Sequence, residues 1–167
     1  YTAVGHSTIF SGSVPAIDGL VGNDWIDQAT GRHWYCTEDT TESSVGSSSD
    51  AGKMSPRNLL VSTITDELRL ASNFQSKVIG ISLKDRAAIL PAGHTANGAY
   101  WFDDASANFI TSTYYMKSLP GWVNDFNKSN EPEKLVAKDW YTLLPLNSYT
   151  QSTRDDVPWE GTFGNEK

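Results

Sequence analysis

The run Val78-Ile79-Gly80-Ile81-Ser82-Leu83 most narrows what this chain can fold into. It is apolar without polar alternation, the pattern of a strand buried on both faces. Before it, Ser55-Pro56 offers an N-cap followed by proline at the first helical position. Leu60, Ile64 and Leu68 then recur at every fourth position, with Leu59 and Ala71 beside them, which predicts a helix over about 56–73. Helix, short connection and buried strand make one step of a doubly wound α/β sheet, where chemistry gathers at the carboxyl ends of strands. That end here carries Lys84-Asp85-Arg86.

The 167 residues suit one domain with a real core, and 6 Trp, 7 Tyr and 6 Phe exclude a disordered chain. The net charge of −7 excludes a global basic footprint for nucleic acid or an anionic membrane, though one Lys and one Arg can still build a local phosphate site. Cys36 is the single cysteine, so there is no internal disulfide framework and no Cys-based zinc knuckle. No stretch reaches the length of an apolar membrane span. The start, YTAVGHSTIF, has neither an initiating Met nor the charged region of a signal peptide, so the chain reads as processed or cut from something longer.

Other elements follow from local pattern. Ser7–Phe10 reads as a short helix, residues 34–36 as a short strand, and the Ser/Thr-rich residues 40–50 as an exposed loop. Tyr100–Phe102 and Phe109–Tyr115 predict two strands around a polar turn at 103–108, and Pro120 opens a short helix carrying Trp122, Val123 and Phe126.

Phosphate-loop, GxGxxG, GxSxG and HExxH motifs are absent. His6, His33 and His94 lack a second histidine at ligand spacing and read as structural. In an extended segment Lys84 and Arg86 share a side, so both could grip one phosphoryl group; a solvated turn pairing internally with Asp85 is the plainer alternative. Asn23 could donate its amide to an oxyanion or simply be a turn residue after Gly22. Thr2, at a helix start, is either a cap or a nucleophile, and as a nucleophile it needs a base or a metal.

Taken together, Thr2-x-x-Gly5-His6-Ser7-Thr8, Ser11-Gly12-Ser13-Val14-Pro15-Ala16, Gly22-Asn23-Asp24-Trp25, Met54-Ser55-Pro56-Arg57-Asn58-Leu59 and Ser82-Leu83-Lys84-Asp85-Arg86-Ala87-Ala88-Ile89-Leu90-Pro91-Ala92-Gly93-His94 carry a resemblance. The series resembles the alkaline phosphatase superfamily in its type I phosphodiesterase/nucleotide pyrophosphatase branch, nearest the monomeric, phosphate-irrepressible alkaline phosphatases of Bacteroides-like bacteria. The resemblance implies part of an α/β core, a mostly parallel sheet with helices on both faces, plus inserted cap-like segments. Residues 1–90 would hold the core and 91–167 a cap or insertion.

It also implies a periplasmic or secreted monomer that hydrolyses small phosphate monoesters. Thr2 would be the metal-activated, transiently phosphorylated nucleophile, and its oxygen the one metal contact in this chain. Asn23 would bind a phosphoryl oxygen. Lys84 and Arg86 would contact the phosphoryl oxygens that a diester lacks. The family uses two zinc ions, whose Asp and His ligands lie outside this stretch, so the chain is expected to be an internal fragment, inactive alone. Two other readings remain: a phosphodiesterase or nucleotide pyrophosphatase of the same superfamily, and a non-catalytic, aromatic-rich binding domain for a ligand such as carbohydrate.

Overall fold

A computed structural model describes residues 1–139, 141–154, 157–159 and 161. The chain divides into two units, Tyr1–Pro132 and Glu133–Lys167.

The first unit opens with helix α1 (Thr2–Ser11), longer than the Ser7–Phe10 turn the sequence suggests. It ends at Gly12, whose φ of 68° is a left-handed conformation that glycine adopts without penalty. A short α2 (Pro15–Asp18) leads to a two-stranded antiparallel ribbon of β1 (Asp24–Ile26) and β2 (His33–Tyr35). Strand β2 falls where the aromatic Trp-Tyr pair predicts it.

The main sheet has four strands in the order β3 (Ser44–Val45), β6 (Asn108–Ser112), β5 (Gly98–Asp103), β4 (Ile79–Ser82). It is mixed: β4 and β5 run parallel, while β5–β6 and β6–β3 are antiparallel. The α/β class holds, and because β5 and β6 join β4 the sheet crosses residue 90 without a break. The β5–β6 hairpin and helix α5 (Gly121–Lys128) form where the aromatic runs and Pro120 predict them, except that β6 ends at Ser112 and residues 113–115 turn back on its carbonyl rather than extending the strand. Asn127 fastens α5 to β6, accepting from the Phe109 N–H and donating to its carbonyl, both at 2.9 Å.

Three expectations are corrected. The helix over 56–73 is instead a turn followed by α3 (Ile64–Ala71). The Ser55 hydroxyl is buried, donates to Asp39 Oδ2 at 2.6 Å and accepts the Arg57 N–H at 3.2 Å, so it closes a turn rather than starting the helix, while Thr63 and Asp66 form the capping box that starts α3. Strand β4 is not buried on both faces: Gly80 and Ser82 are half-buried on the face that meets α4, but Ile79 and Ile81 are exposed on the other, which no described element covers. Residues 40–50 are not simply an exposed loop, since they supply β3, and Ser47 and Ser49 donate to the buried Asp103 carboxylate at 2.6 and 3.1 Å.

Two apolar clusters organise the unit. Ala88, Ile89, Ala99, Trp101 and Ile110 join α4 (Asp85–Ala92) to the sheet. Ala3, Leu20, Cys36, Leu59 and Leu90 join α1, the ribbon and α4. Burial of about 1.5–3 kcal/mol per large side chain makes this second cluster the brace between α1 and α4.

The second unit contains a short 3-10 turn, Leu146–Ser148, and the Leu144 N–H donates to the Tyr149 hydroxyl at 3.0 Å. Helix α6 (Glu131–Val136) follows α5 in the chain. Of the cap-like region expected over 91–167, Trp140, Asp155, Asp156, Glu160 and residues 162–167 lie outside the described residues. Among the described residues no helix is long and apolar enough to cross a membrane.

Candidate active site

Thr2 is the first residue of α1 and is exposed. It does not cap its helix: Tyr1 occupies the N-cap position and makes no capping bond through its side chain. The acceptor comes from elsewhere in the chain. Asn23 Oδ1 accepts the Ala3 N–H at 2.9 Å, satisfying one of the open amides of the first turn. Thr2 and Asn23 are thereby held at the same helix start, although 21 positions separate them. The bond uses the oxygen of the Asn23 carboxamide and leaves its NH2 as a donor. The Asn23 carbonyl also accepts the Cys36 N–H at 2.9 Å, which ties it to the end of β2.

Lys84 and Arg86 lie where β4 gives way to α4. Lys84 is the extended N-cap residue, and Arg86 already belongs to the helix. The same-side argument from an extended segment therefore fails, because the chain turns into a helix between them. The internally paired turn fails as well: among the described residues neither cation makes an ion pair with Asp85. Lys84 is exposed and lines an open cleft of about 560 Å³ with Asp85, Tyr35, Met54, Trp101 and Asp104. Thr2, Asn23 and Arg86 do not line that cleft.

Arg86 is held by a group that the sequence reading did not single out. Its Nη1 donates to the Tyr35 hydroxyl at 2.6 Å, and that hydroxyl donates to Asp85 Oδ1 at 2.9 Å. The Thr37 hydroxyl donates to the other oxygen of the same carboxylate. Burial, then the Asp85 charge, pushes the Tyr35 phenol well above its ordinary value, so it remains a neutral donor. Burial would lower the Arg86 value, but its hydrogen bond to Tyr35 and the Asp85 charge help to raise it. His6, on α1, has its pKa lowered by burial and then by the Arg86 charge. Tyr35 and Asp85 stand 50 positions apart, a pairing no local spacing can signal.

His94 Nε2 lies 3.2 Å from the Val61 carbonyl, and His33 pairs loosely with Asp24 at 3.6 Å. Among the described residues no group of three or more His, Cys, Asp or Glu side chains could hold a metal ion. The two zinc ions implied by the resemblance therefore do not fit a ligand set within the described residues.

The type I phosphodiesterase/nucleotide pyrophosphatase family profile matches residues 1–166. The chain is 60% identical over 166 residues to alkaline phosphatase PhoV of Synechococcus elongatus, covering 99% of this chain and 30% of that protein. It is 59% identical over 167 residues to alkaline phosphatase PafA of Elizabethkingia meningoseptica, covering 99% and 31%. A Myroides odoratus protein named calcium-transporting ATPase is 58% identical over 167 residues, covering 100% and 30%. The chain thus spans about a third of the length of these relatives. The crystal structure of wild-type PafA superposes with a TM-score of 0.93 at 59% identity, covering 99% of this chain and 32% of that one. A PafA variant with one threonine, one asparagine, one lysine and one arginine substituted also gives a TM-score of 0.93, at 57% identity and the same coverage. By its sequence match and its backbone alike, this chain belongs to the type I phosphodiesterase/nucleotide pyrophosphatase family.

Proposed function

We propose that this chain carries the nucleophile and phosphoryl-binding residues of a phosphomonoester hydrolase. The observation that carries the reading is the bond from the Ala3 N–H to Asn23, which sets an amide donor beside the threonine that starts α1. The substituted PafA variant supports it. Its threonine and asparagine stand 21 positions apart and its lysine and arginine two apart, as do Thr2 and Asn23, and Lys84 and Arg86. Four side chains of these types, at the same spacing within each pair, were replaced together in that relative, which supports the choice of Thr2, Asn23, Lys84 and Arg86.

In this reading Thr2 Oγ1 attacks phosphorus. The Thr2 O–P bond forms, the ester P–O bond breaks, and the alcohol leaves with a proton, the Thr2 proton passing to solvent. Water then attacks the phosphothreonine, releasing inorganic phosphate and restoring the hydroxyl. Asn23 donates its amide to a phosphoryl oxygen. Lys84 and Arg86 offset the two negative charges of a monoester; a diester carries one and leaves a cation unused. This charge count favours the monoesterase over a diesterase of the same family. Among the described residues no side chain hydrogen-bonds the Thr2 hydroxyl, so its activation needs groups from outside them. The expected zinc ions would likewise take their ligands from outside the described residues. The resemblance further suggests a monomer placed in the periplasm or secreted.

The test is Thr2→Ala in the natural full-length polypeptide. Turnover of an aryl phosphate should be lost with the circular dichroism spectrum unchanged, and acid-quenched wild-type enzyme should yield a phosphorylated peptide containing Thr2. Near-normal kcat in the variant would reject the assignment.

A further inference from the structure

Resting on that reading, we infer that Tyr35 is a positioning residue that aims Arg86 at the phosphoryl group. The argument starts from the flexibility of arginine. A long side chain held by nothing samples many rotamers, and fixing them when substrate binds costs affinity. Arg86 is not free in this way. Its Nη1 donates to the Tyr35 hydroxyl at 2.6 Å, with the guanidinium carbon 5.9 Å from the centre of the Tyr35 ring.

The tyrosine is itself fixed at both ends. Its hydroxyl proton is committed to Asp85 Oδ1 at 2.9 Å, which turns an oxygen lone pair toward Arg86. Its backbone sits in β2, paired with β1 through Asp24. Asp85 is in turn held by Thr37 and by its place at the start of α4. The raised phenol pKa keeps the proton on Tyr35 throughout the alkaline range, so the relay keeps its direction.

The order of bonds matters. A direct Arg86–Asp85 ion pair would neutralise the cation and compete with a phosphate dianion. With the tyrosine hydroxyl interposed, Asp85 acts on Arg86 through a neutral group. One guanidinium nitrogen is spent on orientation, and Nη2 makes no hydrogen bond among the described residues. Tyr35 touches no substrate in this scheme and acts only through Arg86.

The experiment compares wild type, Tyr35→Phe, Arg86→Ala and the double variant in the natural full-length polypeptide. An aryl phosphate monoester and its methyl diester are the two substrates. Tyr35→Phe should lower kcat/KM for the monoester about 10- to 100-fold, the range expected for losing a hydrogen bond to a charged group. The diester rate should stay within about threefold, since a loss of packing alone would lower both alike. In the Arg86→Ala background the same Tyr35→Phe change should leave the monoester-to-diester ratio where it was.

Asp85→Asn is the second variant, should Tyr35→Phe fold poorly, and it should shift the ratio in the same direction. If Arg86→Ala shifts the ratio while Tyr35→Phe and Asp85→Asn do not, the positioning role is overturned and the phosphomonoesterase reading stands. If Arg86→Ala leaves the ratio unchanged, that reading fails and takes the role of Tyr35 with it.

Discussion

Adding one methyl group at Gly80 should disable the site from a distance. Gly80 sits in β4 with its α-carbon facing helix α4, and its backbone needs no special conformation, so the effect is purely one of space. A Cβ built there lies 3.0 Å from both the carbonyl carbon of Ala88 and the Cβ of Ala92, and the Ala88 oxygen stands closer still. Carbon atoms rest at about 3.5–4.0 Å and the Ala88 oxygen is closer than either carbon, so the helix must retreat by at least about 1 Å. The obstacle is helix backbone and a methyl group, and neither can swing aside. Forcing a methyl into such a contact costs about 3 kcal/mol, at the upper end for overpacking.

The same retreat carries Lys84, Asp85 and Arg86 with it, because they cap and begin α4. A displacement near 1 Å at a phosphoryl-binding group costs about a hundredfold in rate. Gly80→Ala in the full-length polypeptide should therefore show both a lower denaturation midpoint and a monoester kcat/KM reduced by about two orders of magnitude. Unchanged stability together with unchanged kcat/KM would refute the claim that β4–α4 contact sets the site.

Two further outcomes follow from buried titratable groups. Burial would raise the Asp66 pKa, but bonds from the Thr63 N–H at 3.0 Å and from the Thr95 N–H and hydroxyl at 2.7 and 2.8 Å bring it below the usual carboxylate value. A depressed folded value contributes stability above the unfolded pKa of about 3.9 that is lost as pH falls through the folded one. Asp66→Asn should accordingly cost about 2–3 kcal/mol at pH 7, and its gap to wild type should narrow in denaturation series below about pH 4. Burial, then the Asp85 charge, pushes the Cys36 thiol up to about 12, so it should resist alkylation by iodoacetamide at about pH 8 until the chain is unfolded.

What the sequence disclosed was mostly local. The β5–β6 hairpin was legible because aromatic residues cluster on both strands around a polar turn, and α5 because Pro120 marks its start. The helix start was misplaced because Ser55-Pro56 imitates a cap, while the true box, Thr63 with Asp66, was written eight residues later in a readable Thr-x-x-Asp pattern. The burial of β4 was overestimated because an apolar run does not say whether both faces are covered within the same stretch of chain. Thr2, Asn23, Lys84 and Arg86 were legible as a motif. The bonds that arrange them were not: Ala3 to Asn23 spans 20 positions, and Tyr35 to Arg86 spans 51. Tertiary contacts of that range leave no periodic trace, and Tyr35 reads in sequence only as a strand aromatic.

The central claim is that Lys84 and Arg86 read the second charge of a phosphate monoester. Its most direct test is the ratio of kcat/KM for an aryl phosphate monoester to that for the corresponding methyl diester, before and after Lys84→Ala with Arg86→Ala. Each lost charged contact is worth about 1.5–3 kcal/mol, so the double change should lower the monoester value by at least about a hundredfold. The diester, lacking the second charge, should lose far less, and the ratio should collapse. Equal losses on both substrates would contradict the account.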